Sequence, residues 1–149
     1  RAKGFAKGRD GGVGAIRRLM VAKRSARQAR VKAVIQMRHL VITAPDDLHQ
    51  RFTGMTVNAL VNSAARLRPS ASGDVVTTAT KAALASLAQR VQRLDDELAD
   101  LDARLLGLLN ITAPELLDVF TVGPDTADAL LVAAGRNPPR LHHETAWAR

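Results

Sequence analysis

The second half of the chain contains a row of apolar side chains at alternating steps of three and four residues. The row consists of Leu84, Leu87, Val91, Leu94, Leu98, Leu101, Leu105 and Leu108. This a/d spacing continues for about four heptads, which is typical of a coiled coil. It predicts a coiled-coil helix over residues 73–110 with these side chains as its contact surface. Two arrangements satisfy the pattern, separately or together in a bundle: self-association, and packing of the acidic stretch "LDDELADLDA" against the first helix of the same chain.

An amphipathic pattern precedes this helix, from about residue 15 to residue 43. Its apolar positions recur at steps of three and four residues and are Ile16, Leu19, Ala22, Ala26, Ala29, Ala33, Met37 and Leu40. Side chains at these steps share one face of a helix. The pattern therefore predicts a long helix that ends near Pro45, because a proline disfavours helical backbone at the residue before it.

Shorter elements complete the first half of the chain. The stretch "DDLHQRF" predicts a short helix, and a further helix is expected to begin at Thr56 and to end before Pro69. The opening "RAKGFAKGRDGGVG" is rich in glycine and has no apolar period, so it predicts a flexible basic linker over residues 1–14. Residues 15–72 then form a basic helical segment.

The end of the chain, residues 111–149, contains a pattern of two short helices joined by a tight turn. The stretch "LLDVFTVGPDTADALLVAAG", Leu116 to Gly135, predicts a helix-hairpin-helix. The start of a helix can hold phosphate against free backbone amides. The candidate contacts are Gly123, Asp125 and Thr126. The predicted fold class is all-α: long helices with a coiled-coil segment, followed by a helix-hairpin-helix.

The charge is distributed unevenly along the chain. The formal net charge is +8. Residues 1–72 contain 15 Lys or Arg against 3 Asp or Glu, whereas residues 73–149 contain 7 against 11. This asymmetry suggests that the first half contacts a polyanion. The predicted nucleic-acid contacts in the first helix are Arg17, Arg18, Lys23, Arg24, Arg27, Arg30, Lys32 and Arg38. A solvated helix face is the alternative interpretation of the same residues.

Several kinds of chemistry have no support in the sequence. The chain contains no Cys, which excludes disulfides and thiolate metal sites. Its four His lack ligand spacing, and no nucleophile motif is present. No apolar run approaches the roughly 20 residues of a membrane span. We therefore expect no catalytic residue, no metal and no cofactor in this segment, no membrane contact, and a cytoplasmic location.

The order of the motifs carries a family resemblance. Along the chain come a basic helix, "TAPDDL", "ARLRP", the heptad helix, "VGPDTADALLVAAG" and "NPPRL". From about Asp10 onward, the chain resembles the middle of an insertion-sequence transposase that joins a RuvC-like acidic domain to a C-terminal domain with a catalytic serine. Members of that family are recombinases guided by a bridge RNA. One departure is that Phe120 and Thr121 stand where the family hairpin has a proline and a glycine, which leaves phosphate contact by the hairpin open.

The resemblance implies a function in DNA transposition, with DNA and a guide RNA as partners. It also implies a divalent metal in the full-length family, held by acidic residues that would precede Arg1, and a serine that would follow Arg149. This segment alone is therefore predicted to be inactive and to contribute nucleic-acid binding and oligomer assembly. The alternative is a helical protein-protein interaction module that uses the heptad row and binds no nucleic acid. Salt-dependent binding to nucleic acid would separate the two.

Overall fold

The computed structural model describes residues 2–71 and 73–114, with the side chains from residue 11 onward. Over these residues it contains four helices and no strand, which confirms the all-α class. The helices are α1 (Ala2–Ile42), α2 (Asp46–Phe52), α3 (Val57–Ala64) and α4 (Val75–Thr112). The helix-hairpin-helix predicted over Leu116–Gly135, with its candidate contacts Gly123, Asp125 and Thr126, lies outside the described residues.

The short helices lie close to where the sequence predicts them. Helix α2 is the stretch "DDLHQRF", and it follows Pro45, which is the N-cap residue with a φ of −53° and a non-helical ψ of 150°. Helix α3 begins after Thr56, whose side-chain oxygen accepts a hydrogen bond from the amide of Ala59 at 3.3 Å. The turn between these helices contains Gly54 at a positive φ of 78°, a conformation that glycine adopts without strain.

The N-terminal part of α1 departs from the predicted linker, because the helix begins at Ala2. One glycine of this stretch has a packing role. A Cβ atom on Gly12 would lie 2.5 Å from Oγ1 and 2.8 Å from Cγ2 of Thr112. The missing side chain therefore permits a close approach of α1 to the end of α4. The expected boundary at residue 14 therefore falls inside α1. Glycine in this sequence occurs at a helix contact, Gly12, as well as in a turn, Gly54.

Asp74 begins the long helix α4. Its Oδ2 atom accepts hydrogen bonds from the hydroxyl of Thr77 at 2.7 Å and from the amide of Thr77 at 3.2 Å. Its Oδ1 atom accepts one from the amide of Val76 at 3.0 Å. These bonds, the Thr77 hydroxyl foremost, lower the pKa of the Asp74 carboxyl below its usual value. The carboxylate thus satisfies backbone donors that have no partner within the helix.

The chain forms two compact units, and α1 and α4 contribute to both. Unit 1 contains the residues up to Lys23 and those from Asp100 onward. Its core is a small cluster of Ile16, Met20, Leu105 and Leu109. In this unit the helices are antiparallel, because Gly12 lies beside Thr112 and Lys23 beside Asp102.

Unit 2, Arg24–Ala99, has the larger core, to which all four helices contribute. The buried residues of this core are Ala33, Val34, Met37, Val41, Leu48, Phe52, Leu60, Val61, Ala64, Leu67, Leu84, Ala85, Ala88 and Val91. A polar contact joins two of the elements: Nδ1 of His49 lies 2.9 Å from the carbonyl oxygen of Val41. Helices α2 and α3 thus pack with α1 and α4 in one core.

Candidate nucleic-acid interface

The heptad row of α4 is buried by the chain itself. Leu84, Val91, Leu101 and Leu105 are buried, and Leu87, Leu94, Leu98 and Leu108 are half-buried. None of the eight is exposed. Leu84, Leu87 and Val91 pack in the core of unit 2, and Leu105 and Leu108 pack in the core of unit 1. The single chain therefore already uses much of the row, and self-association through it stays a prediction. Of the two arrangements that satisfied the pattern, the structure has the one within the chain.

Lys23 needs correction, because it cannot serve as a surface contact for phosphate. Its side chain is only 3% exposed, and its Nζ atom lies 2.7 Å from Oδ1 of Asp102. That carboxylate oxygen is itself buried and has no hydrogen-bond donor of its own among the described residues, so the ionic contact is its compensation. A buried ammonium without such a partner would be costly.

Arg30 is the second predicted contact that has another role. Its Nε atom donates a hydrogen bond to Oδ1 of Asp95 at 2.5 Å. A sequence signal for both pairs exists and was missed. Ile16, Lys23, Arg30 and Met37 follow one another at intervals of seven residues, and so do Asp95 and Asp102. Residues seven apart return to the same face of a helix, so the spacing places the two cations on the inner face and the two acids within reach.

The apolar face of α1 is likewise shifted from the expected one. Ala29 is exposed, whereas Met20, Val34 and Val41 are buried. The expected face placed Ala29 in the contact, and the structure turns the half-buried Arg30 toward α4 instead.

Five of the predicted cations remain on the surface of α1. Arg17, Arg18, Arg24, Lys32 and Arg38 are exposed, and none has an ion pair with a described residue. Arg18 donates a hydrogen bond to the carbonyl of Gly14 in its own helix. Arg27 is half-buried and already has an interaction. Residues 11–42 of α1 contain no Asp or Glu, so no acid on this part of the helix offsets the charge.

The exposed cations of unit 2 lie among exposed aliphatic side chains, which sequence reasoning missed. A row at alternating steps of four and three residues follows the outer side of α1 and contains Arg24, Gln28, Val31, Ile35, Arg38 and Ile42. Val31 is 52% exposed and Ile35 is 49% exposed. The same spacing that predicts the buried face, counted from Arg24, would have found this second row. We call these six residues the outer row.

Within the described residues, no group of three or more metal-ligating side chains comes together. No helix there is both long enough and apolar enough to cross a membrane.

The fold and this surface define a class: an all-α protein in which a basic helix forms ion pairs with carboxylates of a second long helix and exposes cations on its outer side. Comparisons with protein-family models, with curated proteins and with solved structures find no match for this chain.

Proposed function

We propose that this chain binds nucleic acid through the exposed cations of α1, as part of a DNA transposase of the insertion-sequence family that it resembles. The observation that carries the proposal is the division of the basic residues into two sets. Lys23 and Arg30 are matched by carboxylates of α4, whereas Arg24, Lys32 and Arg38 are exposed and have no ion pair with any residue that the structure describes. Cations kept apart from acids on a rigid helix favour a polyanionic partner.

The partners in this proposal are DNA and a guide RNA, and the expected location is the cytoplasm. Arginine and lysine contacts to phosphate position a protein on nucleic acid without reading its sequence. Each phosphate contact on duplex DNA contributes about 0.9 to the slope of log K against log salt concentration. If all three exposed cations of unit 2 contact phosphates, they contribute about 2.7 to that slope.

The alternative function, a protein-protein interaction module that uses the heptad row of α4, loses support. Such a module needs the row to be accessible, yet Leu84, Val91 and Leu105 are fully buried in the single chain. Oligomer assembly through this row is therefore not part of the proposal.

The test is to change Arg24, Lys32 and Arg38 together to Gln and to measure binding to short duplex DNA over a range of salt concentrations. We expect weaker binding and a slope reduced by about 2 to 3, because counterion release falls with each lost phosphate contact. The matched control changes Arg66, Arg90 and Arg93 to Gln. These residues are exposed, and their replacement also removes three charges from unit 2.

The control variant should bind with a nearly unchanged slope. If both triple variants lose the same slope, net charge rather than the face of α1 determines binding. If the unaltered chain shows no salt-dependent binding to DNA or RNA, the proposed function is wrong.

A further inference from the structure

The outer row of α1 contains more than phosphate binding requires. Its cations lie toward its ends at Arg24 and Arg38, and Gln28, Val31 and Ile35 lie between them. At 1.5 Å rise per residue, Arg24 and Arg38 are about 21 Å apart along the helix. Val31 and Ile35 are about half exposed and lie outside the buried core of the unit. A partner of this row must therefore offer phosphates at both ends and apolar surface between them.

Among nucleic acids, single strands fit this row poorly. Proteins that bind unpaired bases stack them on aromatic rings or on arginine planes. The outer row contains no aromatic residue, and its two arginines, Arg24 and Arg38, lie about 21 Å apart along the helix, which is too far for them to stack neighbouring bases. Double-stranded RNA also fits poorly, because the major groove of an A-form helix is too deep and narrow for side chains to read.

The major groove of B-form DNA fits the row in size. It is about 12 Å wide, and a helix with its side chains is about 10 to 12 Å across. Helix α1 continues without interruption through the outer row to Ile42. The stretch from Gln28 to Ile35 spans about 10.5 Å, which is close to the length of three base pairs at about 3.4 Å each.

The side chains between the cations also have suitable chemistry. The side-chain amide of glutamine can donate a hydrogen bond through its NH₂ group to N7 of adenine and accept one through its carbonyl oxygen from the N6 amino group. This two-point contact commonly recognises adenine in the major groove. Apolar side chains contact the C5 methyl group of thymine. Gln28, Val31 and Ile35 thus offer one reader of adenine and two apolar contacts for thymine.

We propose that the outer row enters the major groove of duplex DNA, where Gln28, Val31 and Ile35 face the edges of A·T base pairs and Arg24 and Arg38 contact the flanking phosphates. This inference rests on the proposed function and narrows it from nucleic acid in general to the major groove of B-form DNA.

The test starts from a pool of random-sequence DNA duplexes. The chain selects its preferred sequences, which are then prepared in three forms: as DNA, as DNA with uracil in place of thymine, and as double-stranded RNA. We expect A·T pairs to be enriched in the selected sequences. Loss of one buried methyl group corresponds to about a fourfold loss of affinity, so the uracil form should bind more weakly by roughly that factor for each contacted thymine.

The variant for this test changes Val31 and Ile35 to Ala. Both positions are exposed and alanine favours helix, so the fold should persist, which circular dichroism can verify. Because alanine is shorter than valine or isoleucine and withdraws apolar surface from the groove, the variant should lose most of the preference for thymine over uracil and keep its salt slope. The matched control changes the exposed Val75 and Val76 of α4 to Ala, and it should keep both properties.

The failures of the two proposals are distinguishable. Salt-dependent binding with equal affinity for all three forms would leave the proposed function intact and overturn the major-groove inference. No binding to any of them would overturn both. Capture of a glutamate-rich amphipathic helical peptide, lost in the Val31 and Ile35 variant while DNA binding is unchanged, would assign the outer row to a protein partner and also overturn the inference.

Discussion

The buried ion pair of unit 1 gives an asymmetric prediction for its two partners. Lys23 is almost completely enclosed, with 3% of its side chain exposed, whereas 43% of the Asp102 side chain is exposed. Changing Asp102 to Asn leaves a buried ammonium without its counter-charge. Changing Lys23 to Met leaves a carboxylate that can turn toward water. We therefore expect D102N to be much more destabilising than K23M.

The magnitude follows from the geometry of the pair. At 2.7 Å and an effective dielectric constant of about 20, the gross attraction is about 6 kcal/mol. Desolvation of the two charges offsets several kcal/mol of this. Breaking a fully buried pair costs about 3 to 5 kcal/mol, and partial exposure of Asp102 reduces the expected cost of D102N to about 2 to 3 kcal/mol. K23M should cost less than about 1 kcal/mol, and K23M combined with D102N should restore most of the stability.

The assay is a double-mutant cycle of urea unfolding followed by circular dichroism on the full chain. The free energies of unfolding of the four proteins give the coupling between Lys23 and Asp102 directly. A coupling near zero would refute the reasoning. So would an equal loss in the two single variants, because the argument depends on the difference in exposure between the two side chains.

Three further changes test the packing and the helix start. Gly12→Ala should lower the melting temperature, because its Cβ would lie 2.5 Å from a side-chain atom at the end of α4. Gly11→Ala has open space around its Cβ and should raise the free energy of unfolding by about 0.5 to 1 kcal/mol. Equal effects of the two changes would contradict the close approach of the helices at Gly12. Leu105→Ala should lower the free energy of unfolding, measured with urea, by about 2 to 5 kcal/mol, because Leu105 is fully buried. Leu106→Ala should lower it much less, because Leu106 is exposed. Similar losses for the two changes would exclude a core at this position. Asp74→Ala should destabilise the chain at neutral pH. Because the pKa of this carboxyl is lowered in the folded chain, its contribution is present above its ordinary pKa and disappears as the pH falls through the lowered value. Urea unfolding of both proteins at neutral pH and in strong acid checks this. If Asp74→Ala is still less stable than the unaltered chain in strong acid, the ionised carboxylate is not the source of the stability.

The fold class and most helix positions could be predicted from the sequence, because they depend on local periodicity. Apolar spacing identifies α4, and the stretch "DDLHQRF" coincides with α2. The start of α1 could not be predicted in this way. Glycine usually interrupts a helix, and only the position of Thr112, about a hundred residues away in the chain, shows why Gly12 is accommodated.

The candidate surface could be predicted only in part, because charge alone does not tell which side of a helix a residue occupies. From the sequence, all eight cations of the first helix were predicted as nucleic-acid contacts on the same ground, their charge. The structure separates them through long-range contacts: Lys23 and Arg30 face α4, and Arg24 and Arg38 face outward. The outer row was not predicted because only three of its six residues are apolar, whereas the predicted apolar face of the same helix has eight apolar residues.

The pairing of charges on the inner face also explains why the outer face can stay basic. In unit 1 the inner cation Lys23 meets Asp102, and in unit 2 the inner cation Arg30 meets Asp95. A shift by one heptad would place Lys23 opposite Leu109 in unit 1 or Arg30 opposite Ala88 in unit 2; both of these residues are fully buried, so the charge would be left without a partner. Within each unit the ion pair therefore favours the observed alignment of its two helix segments, as polar residues do in coiled coils. In that alignment both carboxylates are committed to inner cations and neither is available to the cations of the outer row. The two carboxylates of α4 thus favour the observed packing within each unit without neutralising the face of α1 that we propose to bind DNA.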